Sequence, residues 1–136
     1  MAGPAYAVRG LPMPFEIRDE GHFHSARLFG VFDREDLDAV IREVERLEDA
    51  GALKDRLTDL TAVERIDVGF EEVFALAQRR MNRHVPAPIR SALVASRPVQ
   101  FGFARMFQML NDNPRILIRI FGTVEEAQQW LHSYHR

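Results

Sequence analysis

In the stretch Asp59-Leu60-Thr61-Ala62-Val63-Glu64-Arg65-Ile66-Asp67-Val68-Gly69-Phe70, a short strand-like run beginning at Arg56 closes at Leu60, and a segment with helical spacing opens soon after. Arg56 to Leu60 reads as a strand. Asp67 is placed to cap the helix that follows, whose apolar stripe is Phe70, Val73, Phe74, Ala77 and Met81. Glu71 and Glu72 suit the positive start of that helix, and Arg79, Arg80 and Arg83 its negative end. A strand, a loop and a helix in this order form half of a β-α-β crossover.

The same alternation continues in both directions. Upstream, Phe15 to Arg18 and Phe23 to Phe32 flank Asp19-Glu20-Gly21, a turn signal that predicts a hairpin. Asp33 then caps a helix with Leu37, Val40, Ile41, Val44 and Leu47 on one side, closed by Gly51. Its other side carries Glu35, Arg42, Glu43, Glu45, Arg46 and Glu48, expected in solvent and in intrahelical pairs. Downstream, Ile89 to Ser96 contains the uninterrupted run Ala92-Leu93-Val94-Ala95, which suits a strand covered on both faces and is expected at the sheet centre. Pro98 opens a helix reaching about Asn111, Arg115 to Phe121 forms a further strand, and Thr123 with Glu126 opens a last helix along Ala127, Trp130, Leu131 and Tyr134. Right-handed crossovers between such units build a mostly parallel α/β sheet. The expected architecture is an N-terminal hairpin followed by β-α alternation, giving a mixed sheet of about five strands with four helices. Residues 1–14, rich in Gly and Pro, read as an arm, and 15–136 as one domain.

Composition excludes several classes. A formal charge of -2, with cationic residues spread along the chain, offers no footprint for nucleic acid. The absence of cysteine removes disulfides, thiolate metal sites and cysteine nucleophiles. No run approaches the roughly 18 apolar residues of a membrane span, and the first residues lack the charged start and unbroken apolar run of a secretory signal, so a cytoplasmic protein is expected.

The element order resembles the STAS family in its SpoIIAA-like (STAS/SEC14-like) branch of small bacterial proteins. The residues carrying the resemblance are the strand end at Asp59, the helix opening Asp67-Val68-Gly69-Phe70, the strand Ala92-Leu93-Val94-Ala95, and the ending Phe121 through Glu125-Glu126-Ala127 to Trp130-Leu131. It spans about Phe15 to His135. In antagonist proteins of that family a phosphorylatable Ser opens the helix after the Asp-terminated strand. Here Val68 and Gly69 stand in that place, and neither can carry phosphate. The resemblance therefore implies a regulatory or interaction module without kinase-controlled switching, acting on a protein partner or on a second copy as a homodimer. Its SEC14-like side implies an alternative, a carrier or sensor of an apolar or amphipathic small molecule.

Ligands of open α/β sheets gather at the C-terminal ends of the parallel strands, where Asp59, Thr61, Asp67, Gly69, Ser96 and Arg97 are expected. Ser96 and Arg97 precede a helix start that could receive an anion, although Pro98 removes one amide and no Gly-rich phosphate loop is present. Thr61 has a hydroxyl but precedes the loop, which suits a structural role. Asp59 and Asp67 are the only candidate acid pair; without an accompanying nucleophile, oxyanion donor or ligand set the chain reads as no enzyme, with no catalytic residue and no cofactor. His22 with His24 and His132 with His135 lack a third metal ligand at suitable spacing, and His84 suits a helix end, so no metal site is expected. The helix after Pro98 is unusual. Val99, Phe103, Met106, Phe107 and Leu110 form its core stripe, and Phe101, Met106 and Met109 supply surplus apolar surface for a partner or a lipid-like ligand pocket.

Overall fold

The computed structural model describes residues 15–133 except 84, 86 and 112. The arm and the expectations placed on His84, Tyr134 and His135 lie outside them. Strands β1 (Phe15–Asp19) and β2 (Phe23–Asp33) form the hairpin, in register from Phe15 opposite Leu28 to Asp19 opposite His24. Then come α1 (Arg34–Asp49), β3 (Asp55–Asp67), α2 (Phe70–Met81), β4 (Ile89–Val94), α3 (Pro98–Leu110), β5 (Ile116–Phe121) and α4 (Val124–His132). The five strands lie side by side in chain order, the first pair antiparallel and the rest parallel. Leu57 pairs with Ala92, Thr58 with Leu93 and Asp59 with Val94 in a parallel ladder.

β3 occupies the sheet centre, a correction to the expectation for Ala92-Leu93-Val94-Ala95; β4 lies next to it, and its small side chains are buried because α4 covers it closely. β3 is also longer than the run Arg56 to Leu60 suggests. Beyond Asp59 it leaves β4 and continues beside β2 to the pair Asp33 and Asp67, passing register shifts near Gly30, whose φ of 74° suits a residue without Cβ. The alternation of side chains along the strands separates two cores. Leu28, Phe32, Leu60 and Val63 pack with α1, α2 and α3; Phe23, Leu57, Ala92 and Val94 pack with Ala127, Trp130 and Leu131 of α4.

Local chemistry sets the helix ends. Asp33 accepts from the Asp36 amide at 2.9 Å while Asp36 accepts from the Asp33 amide at 3.0 Å, a reciprocal box that starts α1, and Gly51 follows its end at φ 71°. Thr123 accepts from the Glu126 amide at 3.2 Å and starts α4. Asp67 does not cap α2. It is the last residue of β3, and Gly69 is the N-cap, without a side-chain hydrogen bond.

The α2 stripe is rotated from its expected position. Val73, Leu76, Ala77 and Arg80 are buried, whereas Phe70, Phe74 and Met81 are exposed. The cause lies on α1. Glu45 and Glu48, expected in solvent, point to α2 and meet three arginines. Arg80 makes a two-pronged contact with Glu48, one prong at 2.8 Å; Arg83 reaches Glu48 at 3.1 Å and Asp49 at 2.6 Å; Arg79 binds Glu45 through Nε at 3.1 Å. Bringing Arg79, Arg80 and Arg83 to α1 turns Leu76 inward and Phe74 outward. Burial pushes the Glu48 carboxyl up, but the hydrogen bonds and charge of Arg80 more than offset this and leave its pKa below the ordinary 4.5.

Candidate functional site

The rim where β3 and β4 part is closed by one side chain that the sequence reading passed over. Gln100, 0 % exposed, sits in the first turn of α3. Its Oε1 accepts from the Ser96 amide at 3.0 Å, the Ser96 hydroxyl at 3.3 Å and the Arg97 amide at 3.1 Å, while its Nε2 donates to the carbonyls of Thr61 at 3.2 Å and Val63 at 2.8 Å. Arg97 also donates to the Val63 carbonyl. Where an anion was expected to find the Ser96 hydroxyl and the Arg97 charge, that hydroxyl and the Ser96 and Arg97 amides are therefore turned onto the helix's own glutamine, and the Arg97 guanidinium onto the Val63 carbonyl. A signal existed in Arg97-Pro98-Val99-Gln100: a Gln three residues after the N-cap is the position from which a side chain reaches back to the cap amide.

Asp59 and Thr61 form a local unit beside it. The Thr61 amide and hydroxyl both donate to Asp59 Oδ1, at 2.9 and 2.7 Å. Thr61 lies within β3 and pins the turn of the chain away from β4. Asp67 is eight residues further along the same strand, which at the rise of an extended chain is about 25 Å away. Asp59 and Asp67 thus cannot share a proton or a water.

Gly69 occupies the start of α2 in place of a hydroxyl. A Cβ at that position would stand 2.7 Å from Glu72 Oε2, so the carboxylate of Glu72 fills the space beside the cap. With Glu71 it puts fixed negative charge where the helix dipole is positive. One turn later Phe70 and Phe74 stack at 6.0 Å between ring centres, 58 % and 44 % exposed.

On α3 the buried side chains are Gln100, Phe103 and Ala104, with Met106, Phe107 and Leu110 half-buried; Val99, expected in the core, is exposed. Phe101 faces outward beneath the Arg105 guanidinium at 5.9 Å, and Met109 is 74 % exposed. Phe101 and Met109 face outward, whereas Met106 packs against the core. The cavity beneath the helices, about 120 Å³, takes Phe103 and Phe107 from α3 instead. The inward stripe of α3 begins at Gln100, whose hydrogen bonds hold the first turn of the helix against β3.

Among the described residues no group of three or more His, Asp or Glu side chains could hold a metal. The His22 and His132 rings meet edge to face at 5.8 Å, a contact between β-hairpin and α4 that sequence spacing does not show. No described helix is long and apolar enough to cross a membrane.

No family model matches the sequence, and no curated protein does. Solved structures do. An uncharacterised protein of the DUF3478 family with a SpoIIAA-like fold, from Shewanella loihica, superposes with a TM-score of 0.56 at 13 % identity, over 96 % of this chain and 95 % of that one. The anti-sigma factor antagonist SpoIIAA in its unphosphorylated form superposes with a TM-score of 0.57 at 17 % identity, over 87 % of this chain and 97 % of that one. Strand order, helix placement and these two likenesses agree: the chain has the SpoIIAA-like, STAS-type α/β fold.

Proposed function

We propose that this protein is a non-enzymatic interaction module that docks a protein partner, or a second copy of itself, on the outer faces of α2 and α3 and the adjoining rim, without a covalent switch. The observation that supports it most is the stacked, exposed pair Phe70 and Phe74, directly after the place where the family's antagonists carry their serine. Exposed aromatic pairs on a helix face are costly to leave in water and are typical anchors of interfaces. Phe101 and Met109 extend apolar surface onto the neighbouring helix, and α2 packs against α3. Gly69 cannot be phosphorylated, and Glu71 and Glu72 place carboxylates in the first turn of the helix. The docking face is thus in one state only.

Light scattering across a wide concentration range tests the self-association form. The wild-type chain is expected to approach twice its monomer mass, and Phe70→Asp with Phe74→Asp to weaken association at least about 100-fold, as loss of two aromatic anchors does. Phe101→Asp with Met109→Asp should act in the same direction. All four positions are exposed, so the variants should keep the wild-type circular dichroism spectrum. Variants that associate as the wild type does would remove α2 and α3 as the docking face.

A further inference from the structure

The interior hollow between the sheet and α1, α2 and α3 has a volume of about 120 Å³ and mostly hydrocarbon walls, among them Val44, Leu93, Phe103, Phe107 and Ile118. One wall is charged. Arg56 of β3 and Arg80 of α2 line this cavity, and Arg56 also lines a smaller one of about 40 Å³ that reaches His24 and Lys54. The Arg56 Nε has essentially no accessible surface and no hydrogen-bond partner. The acids closest in charge interaction are Glu48 and Asp55, and both are engaged elsewhere. Glu48 holds Arg80 and Arg83, while Asp55 accepts from the Arg90 amide at 2.8 Å and pairs with the Arg90 guanidinium at 3.6 Å. Burial and the neighbouring Arg80 push the Arg56 pKa down to about 10, which still leaves it cationic at neutral pH.

The Arg56 side chain as a whole is half-buried, but its Nε is a buried donor without a partner beside a mostly apolar cavity, an arrangement that an anion would complete. We infer that the cavity over Arg56 is a binding site for a small amphipathic carboxylate, its apolar body between Phe103, Phe107 and Leu93 and its head on the Arg56 guanidinium. The planar fork of arginine matches the two oxygens of a carboxylate. Size limits the body: a dry apolar cavity of about 150 Å³ admits a benzene ring, whereas drug-sized ligands need roughly 300 Å³ or more. At about 120 Å³ the hollow is smaller than that, so the ligand class is a short aliphatic carboxylate, and neither a ring nor a long-chain lipid fits. This site is separate from the outer faces of α2 and α3.

Propanoate and butanoate, with propanol and butanol as neutral counterparts, are the probes, titrated into the full chain by calorimetry and by NMR of the cavity side chains. Each carboxylate should bind at least about tenfold tighter than its neutral counterpart, the gain expected of a charge-assisted contact. Arg56→Met should abolish that preference while melting at the wild-type temperature or above it, and Arg56→Gln provides an uncharged polar control if the first variant folds poorly. Phe107→Trp, which fills the cavity, should remove binding of both probe classes. Equal affinity for charged and neutral probes, a preference that survives both Arg56 variants, or no binding of any probe to the wild-type chain would each overturn the inference.

Discussion

Gln100→Leu is expected to lower the unfolding free energy by about 3 kcal/mol, measured by urea denaturation, with the fold retained. Leucine nearly matches the volume of glutamine, so packing is conserved and the loss is polar. The Thr61 and Val63 carbonyls lose the Nε2 donor, and the Ser96 and Arg97 amides lose Oε1. The exposed Ser96 and Arg97 recover part of this through water, whereas Val63 is buried and keeps only its contact with Arg97. Gln100→Glu separates the two halves of the amide. It keeps the acceptor with its three donors, removes the Nε2 donor and directs a carboxylate at two carbonyl oxygens; burial and the facing carbonyls are expected to outweigh the donors and raise its folded pKa. A raised folded pKa means the native state binds the proton more tightly, so the defect of this variant should shrink as pH falls from about 7 toward 5. A pH-independent defect would show that the site is open to water.

Arg80→Ala is expected to cost about 3 kcal/mol, because it strands Glu48, whose side chain is 4 % exposed, with Arg83 as its remaining partner. The pH dependence has a definite sign. The Glu48 pKa in the folded chain lies below its ordinary 4.5, so the stabilisation is fully present above that value and disappears as pH falls through the lower folded value. Acid titration of the melting temperature should therefore show the wild type losing its advantage over Glu48→Gln below about pH 4.5. If the two chains keep a constant difference down to the acid transition, the ion cluster between α1 and α2 contributes nothing through Glu48.

These effects mark where local sequence patterns stop being informative. The succession of strands and helices along the chain was legible, though not the order of strands in the sheet, because each element carries its own punctuation: Asp33, Gly51, Pro98 and Thr123 act on neighbouring backbone groups, and neighbours in sequence suffice to see them. The rotation of α2 was not. Phe70, Phe74, Ala77 and Met81 fit helical spacing as well as Val73, Leu76, Ala77 and Arg80 do, and the choice between them is made by Glu45 and Glu48, more than 30 residues away. Arg56 was hidden for a similar reason. On a strand covered on both faces every side chain points inward, and only the placement of three helices over Thr58 and Leu60 shows that Arg56 shares their apolar side. At the candidate site the missing switch at Val68 and Gly69 could be read directly, since it depends on residue identity, whereas the exposed aromatic pair beside it depended on helix rotation.

The most direct test of the docking face is site-specific photo-crosslinking in cells. A benzophenone side chain is placed at Phe74 and, as a control, at Gln129, which is exposed on α4 on the opposite side of the sheet. Position 74 should give one cross-linked species of defined mass, identified by mass spectrometry and lost when Phe70→Asp is added, while position 129 gives none. No product from position 74, or the same products from both positions, would contradict an interaction module that works through α2.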